Sequence, residues 1–360
     1  MVLAVMWAGV TLYAVFAGAD FGAGFWDLFS GGARGGKESR ALIERSLGPV
    51  WEANHVWLIF VLVILWTGFP AAFAAIASVL YIPLTVAAAG IILRGAGFVF
   101  RKPVAEVGLK RIFGAAFAAS SIITPFFLGA VAGAVASGRV PAGPVEGMPA
   151  HPWTPWTGPT SLLGGTLAVV TTAFLGAVFL AVDAQRQRND ELTEQFRRWA
   201  MGAGLVAGAV VMGGIGVLAN DAPRLFAGLT GRALPLVVGS AVAGIGAIVL
   251  LWKRRFVAAR LAAVMAVVAV VWGWAAGQYP EVLVGELSIA GAAGSRSSLM
   301  AMLVCLAVGA MLFVPPLTLL LFLHARGRLT DPSSSDQVGE SDHVGKPGGQ
   351  LLGLPRIAEK

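Results

Sequence analysis

Apolar residues fall in long blocks along this chain, and polar residues gather between the blocks instead of alternating within them. A block of about twenty apolar residues crosses the roughly 30 Å hydrocarbon core of a bilayer as a helix. Nine such spans are predicted, over 3–28, 50–70, 73–100, 112–136, 159–182, 199–219, 233–252, 257–278 and 299–323. The second and third meet at Gly68-Phe69-Pro70, where proline favours a break. The pattern predicts an all-α integral membrane protein with a nine-helix transmembrane domain over 1–329. Residues 330–360 are rich in Ser, Gly and charge and lack apolar periodicity, which predicts a disordered cytoplasmic tail. The first block continues through Asp20 to Trp26 with no basic segment before it, so it is expected to remain as a span and not to be removed as a signal peptide.

Charge orients these spans. The connections after spans one, three, five and seven hold Arg34, Lys37, Arg40 and Arg45; Arg101, Lys102, Lys110 and Arg111; Arg186, Arg188, Arg197 and Arg198; and Lys253, Arg254, Arg255 and Arg260. The opposite connections hold only Arg139, Arg224, Arg232 and Arg296. Basic loops mark the cytoplasmic side, so the N-terminus is expected outside and the C-terminus inside, as an odd number of spans requires. The net charge of +7 then reports membrane orientation, and no nucleic-acid partner is expected. Composition agrees: 57% of the residues are hydrophobic and 12% charged, more apolar surface than a soluble domain of this length can hide. Cys305 is the single cysteine, which excludes an internal disulfide or a redox pair of cysteines. No internal repeat is evident.

Against that background, a few polar residues stand out. The segment Trp51-Glu52-Ala53-Asn54-His55-Val56-Trp57 opens an apolar run, and ionisable groups at such depth mark an ion path, a substrate site or a buried pair. Glu52 and His55 are three apart and share a helix face. Asp20 lies in the inner half of span one, so the three could gather near the cytoplasm and pass protons inward. The plainer alternative makes Glu52 a helix-end residue and His55 a donor to a neighbouring carbonyl. Arg94, near the inner end of span three, is expected to snorkel to the interface, with pairing to Asp20 or Glu52 as the alternative. Asp183 reads as a boundary residue, and Glu281 and Glu286 belong to an external loop. The histidines are His55, His151, His324 and His343, and only His55 is clearly inside a span, which excludes a pair of haems held by several buried histidines. No HExxH, P-loop or GxSxG motif is present.

Four stretches resemble subunit II of the cytochrome bd-type quinol oxidases. They are Gly18-Ala19-Asp20-Phe21-Gly22-Ala23-Gly24; Pro49 to Trp57 with Trp51, Glu52, Asn54 and Trp57; Leu93-Arg94-Gly95 with Phe98 and Arg101; and Gly273-Trp274 followed by Gln278-Tyr279-Pro280. The resemblance implies two four-helix bundles plus one peripheral helix in a bacterial cytoplasmic membrane. It also implies a larger subunit I that carries two b-type haems and one d-type haem, oxidises quinol and reduces oxygen to water, with small single-span subunits as further candidate partners. This chain would then bind no haem itself, and Glu52 would belong to a proton path towards the oxygen-reducing haem. Two departures bear on that path: Ala17 and Val99 stand where relatives often carry acids, and His55, an imidazole of the kind that serves in proton relays, is the candidate to compensate. Competing readings are a secondary transporter or channel with Asp20, Glu52 and Arg94 as its substrate site, and a purely structural subunit whose charges are static pairs.

Overall fold

The computed structural model describes residues 1–31, 36–47, 51–100, 107–143 and 151–325. Helices dominate. In chain order they are α1 (Val2–Phe29), α2 (Lys37–Leu47), α3 (Trp51–Gly68), α4 (Pro70–Val79), α5 (Tyr81–Phe100), α6 (Val107–Ala136), α7 (Pro159–Arg186), α8 (Asp190–Asp221), α9 (Pro223–Thr230), α10 (Leu234–Trp252) and α11 (Phe256–Gln278). A two-stranded antiparallel ribbon follows, β1 (Glu281–Leu283) with β2 (Leu287–Ser288), then α12 (Ile289–Ala292) and α13 (Arg296–Ala325). The chain divides into two compact units, Met1–Met300 and Ala301–Lys360.

Helices α1 and α7 form the centre of the first unit, and small residues put them there. A side chain on Gly22 would collide with the Thr172 carbonyl, and one on Gly176 with the backbone at Gly22. Gly129 of α6 and Gly164 of α7 meet in the same way. Between apolar helices in lipid there is no hydrophobic drive to associate, so close backbone approach supplies the packing energy instead. Around this centre, Leu175, Val178, Leu180 and Val182 of α7 are buried with Phe196 of α8 and Leu251 of α10. The outer faces of α8 and α10 expose Leu205, Met212, Val242, Ile245 and Trp252, as expected of helices facing lipid.

Among the described residues, seven helices are long and apolar enough to cross a membrane, or eight if the bent pair α3–α4 counts as one span. The expected third span, 73–100, is divided: residues up to Val79 belong to α4, which leaves the axis of α3 at 116° at the Phe69-Pro70 break, and α5 begins at Tyr81. Proline at the first position of α4 starts a new helix there because its fixed φ suits a first turn and its missing N–H is not needed. The expected ninth span, 299–323, falls within α13, whose Arg296–Leu312 part is apolar. Amphipathic α2 is an element the span pattern does not predict. Leu42 and Ile43 enter the main core, while the Ser39 hydroxyl donates to Gln195 Oε1 at 3.2 Å and Arg40 pairs with Asp27 at 3.2 Å. The proposed tail, 330–360, lies outside the described residues.

The glycine contacts are testable by contrast. Gly22→Val is expected to destabilise the folded chain by about 1–3 kcal/mol through overpacking, seen as a lower melting temperature in mild detergent. Gly202→Ala should not lower the melting temperature, because a Cβ there meets no atom within 4 Å.

Candidate functional site

The polar centre of the bundle is built from three helices. Asp20 on α1 is 4% exposed and Arg94 on α5 is 5% exposed. Arg94 Nη2 donates to Asp20 Oδ1 at 2.7 Å and to the Asp20 carbonyl at 2.8 Å, while Nη1 donates to Ser121 Oγ on α6. The Ser121 hydroxyl in turn donates to the Phe117 carbonyl at 2.6 Å. The guanidinium lies 4.8 Å from the Phe21 ring centroid and 4.4 Å from that of Phe117, so its faces meet aromatic surface while its edge meets oxygen. Gly24 and Gly97 make the room. A side chain on Gly24 would strike Ser121 Oγ and Arg94 Nη1 at 2.6 Å, and one on Gly97 would approach the Phe113 carbonyl to 2.8 Å.

Snorkelling of Arg94 is thereby corrected. Arg94 is six residues from the end of α5, about 9 Å at the helical rise, but the slot opened by Gly24 and Gly97 leads inward to a carboxylate. A guanidinium in hydrocarbon gains more from a counter-ion and two further acceptors than from a strained reach to the interface.

The structure brings only part of the predicted site together. The side chains of Trp51 and Glu52 lie outside the described residues, although both belong to the first turn of α3. His55 is half-buried on that helix. Trp57 packs edge-on against Phe60, with centroids 6.1 Å apart. Asn54 is 3% exposed, yet neither its Oδ1 nor its Nδ2 has a hydrogen-bond partner; Thr124 Oγ1 on α6 is a second buried orphan. Trp274 and Gln278 sit elsewhere. Trp274 Nε1 donates to Gln278 Oε1 at 2.7 Å, and Gln278 Nε2 donates to the Val282 carbonyl at 2.6 Å, which ties the end of α11 to the ribbon. Trp7 packs against Trp274 with centroids 5.0 Å apart. Since Trp7 is thirteen residues from Asp20, that brace stands about 20 Å along α1 from the ion pair.

Other polar groups were not singled out by sequence reasoning. Ser121 left a faint signal, a Ser120-Ser121 pair inside an apolar span. Arg139 donates to both carboxylate oxygens of Asp221, which also accepts from the Thr160 amide at 2.9 Å and hydroxyl at 2.6 Å, clamping α6, α7 and α8 at one end. At the basic end, Glu194 accepts from Arg197, Arg198 and Arg254. Among the described residues no group of three His, Cys, Asp or Glu side chains could hold a metal ion.

Comparison with known proteins places the chain. The family model for cytochrome bd terminal oxidase subunit II matches residues 1–323. The chain belongs to that family. As a subunit II chain it is 30% identical over 217 residues to cytochrome bd-I ubiquinol oxidase subunit 2 of Escherichia coli (strain K12), covering 56% of this chain and 54% of that protein. To cytochrome bd ubiquinol oxidase subunit 2 of Bacillus subtilis (strain 168) it is 32% identical over 129 residues, 36% of each chain. A putative cytochrome bd menaquinol oxidase subunit II of the same organism is 36% identical over 81 residues, 22% of this chain and 23% of that protein. These alignments thus span between about a quarter and about a half of the lengths of the curated relatives. The solved bd oxidase from Geobacillus thermodenitrificans shares the fold, with a TM-score of 0.70 and 24% identity over 90% of this chain and 97% of that one.

For this subunit II chain the ion pair yields a direct test. Asp20→Asn leaves the Arg94 charge buried without its counter-ion and is expected to lose about 3–5 kcal/mol. Asp20→Leu combined with Arg94→Met should lose less than the two single changes added together. Melting of the parent and the four variants in mild detergent checks both statements.

Proposed function

We propose that this chain is the haem-free subunit II of a cytochrome bd-type terminal oxidase. In this reading it crosses the membrane nine times, with the N-terminus outside, and forms two four-helix bundles plus a peripheral helix. It supports a larger subunit I that carries two b-type haems and one d-type haem, oxidises quinol and reduces oxygen to water. Small single-span subunits are further candidate members of the complex. The observation that carries the reading is the family match across residues 1–323. The run of basic connections on one side and the shared fold support it further.

The proton path is assigned to the start of α3, with Glu52 as the carboxylate that receives protons from the cytoplasm and His55 beside it as a second carrier. Asp20 takes a different role from the one its position in the sequence suggests. Protonating it would strand the Arg94 guanidinium in the bundle core, so Asp20 serves as a fixed counter-ion and sets the field near the path. The same pairing counts against the transporter reading, because a substrate would have to displace an internal partner from each charge. Charge separation across the membrane needs no pump: protons for oxygen reduction are drawn from inside while quinol oxidation releases protons outside.

Two measurements test this. Purification of the tagged chain in mild detergent is expected to bring down a partner whose reduced-minus-oxidised spectrum shows a red d-type band beside b-type bands; a clean chain with no haem signal sinks the reading. In that complex Glu52→Gln is expected to slow quinol-dependent oxygen consumption by about tenfold or more with the spectrum intact. Normal turnover would remove Glu52 from the path.

A further inference from the structure

The basic end of the bundle holds more cation than its acids answer. Arg197 donates to both carboxylate oxygens of Glu194, from Nε at 2.9 Å and from Nη2 at 2.6 Å, and so takes the group as a bidentate partner. Arg198 and Arg254 are left with one donor each on the same carboxylate, both at 3.1 Å. Three guanidiniums thus share one negative charge, and the side chains of Arg198 and Arg254 are 74% and 68% exposed. Their other N–H groups have no partner among the described residues. Lys253 and Arg255 flank Arg254 and are exposed too, and no Asp or Glu lies between Asp221 and Glu281. Arg254 has a φ of 57°, the left-handed region in which glycine commonly ends a helix, so a long cation stands there against a backbone preference. The other acids of α8, Asp190 and Glu191, lie at its start. Arg198 is seven residues beyond Glu191, about 10 Å nearer the hydrocarbon.

Away from this rim, α8 and α10 part. The start of α8 meets the end of α10, so the two helices run antiparallel, and a side chain on Gly204 would meet Ile248 at 3.2 Å. One turn further, Gly208 and Gly244 stand at matching levels, and a side chain on either would meet nothing within 4 Å. Leu205 and Ile245, each 64% exposed, border the opening on the lipid-facing surface. Trp252, 70% exposed, stands at its basic end, the depth at which interfacial aromatic residues sit. We propose that this groove binds an anionic phospholipid, with its phosphate on Arg198 and Arg254 and an acyl chain along Gly208 and Gly244. Guanidinium forks suit phosphate oxygens, and the net positive rim supplies the complementary charge. A zwitterionic headgroup brings its own cation and gains less there. A quinone ring offers carbonyl oxygens but no charge. Because the two guanidiniums come from different elements, the bound phosphate draws the start of α8 against the α10–α11 turn. The inference stands on the membrane setting of the chain and is independent of the proton path.

The test uses the protein purified in mild detergent through a tag on this chain, with whatever accompanies it. A phosphatidylglycerol carrying a photoactivatable diazirine in its acyl chain is expected to label peptides within 204–212 and 242–249. Unlabelled phosphatidylglycerol should compete at a concentration about tenfold below that of phosphatidylcholine. Arg198→Gln combined with Arg254→Gln leaves Glu194 its bidentate partner and is expected to lower the labelling about tenfold or more. Gly208→Leu fills the groove with both arginines in place and should lower it as well. Equal competition by the two lipids, labelling unchanged in the arginine variant, or no label on these helices overturns the proposal. Competition by a short-chain quinone but not by phosphatidylglycerol also overturns it and gives the groove to quinone. Should the arginine variant not hold together, the lipid competition in the parent and the labelling of Gly208→Leu each remain able to overturn it. The haem spectrum of the same preparation separates the two readings: labelling as expected without haem bands removes the oxidase assignment and leaves the lipid site standing.

Discussion

A guanidinium enclosed by apolar helices must be answered by charge, and the Asp20–Arg94 pair is the point around which the first unit is assembled. The carboxylate comes from α1, the guanidinium from α5 and the hydroxyl from α6, so no two of these helices can slip in register without leaving a charge or a donor unpaired. Such a pair adds little net stability over well-packed apolar residues, since desolvating both ions offsets most of their attraction. What it supplies is discrimination. Alternative packings of three similar apolar helices would differ little by dispersion alone, whereas each one that separates these groups is unfavourable by several kcal/mol.

Glycine makes that geometry reachable. Gly24 and Gly97 admit the guanidinium and its neighbours, and the Gly22–Gly176 and Gly129–Gly164 contacts bring backbones close enough for the slot to be narrow. The ends of the bundle are treated differently. At one end the Arg139–Asp221–Thr160 clamp ties three helices, and at the other Glu194 collects three arginines on a more exposed rim. Exposed rim pairs stabilise weakly, so the basic end depends on α2 plugging Leu42 and Ile43 into the core.

Much of this was legible in the chain. Hydropathy locates the helices because a spanning segment needs an unbroken apolar run, and the Gly-x-Asp-x-Gly-x-Gly and Trp-Glu-x-Asn segments carry the family. Other features were not legible. The division at Leu80 left only one mark, Pro83 in the first turn of α5, because the chain stays apolar on both sides of it and hydropathy has no term for the direction of a helix axis. Helix α2 is polar enough to read as a loop, and only the spacing of Leu42, Ile43 and Leu47 hints at a buried face. The fate of Arg94 depended on a cavity made by glycines on two different helices, a property of packing that one-dimensional spacing does not contain. Ser121 is the same case, a weak polar residue that matters only because of what stands opposite it.

The buried polar groups of α1, α3, α5 and α6 divide into two kinds, those that satisfy one another and those that do not. Asp20, Arg94 and Ser121 satisfy one another, so their protons and charges are fixed. Asn54 and Thr124 satisfy nothing in the chain. A proton moves along groups that can exchange partners at little cost, and a closed ion pair is the opposite of that. In the proposed path the charges of Asp20 and Arg94 are therefore walls that hold the potential, and the protons run beside them.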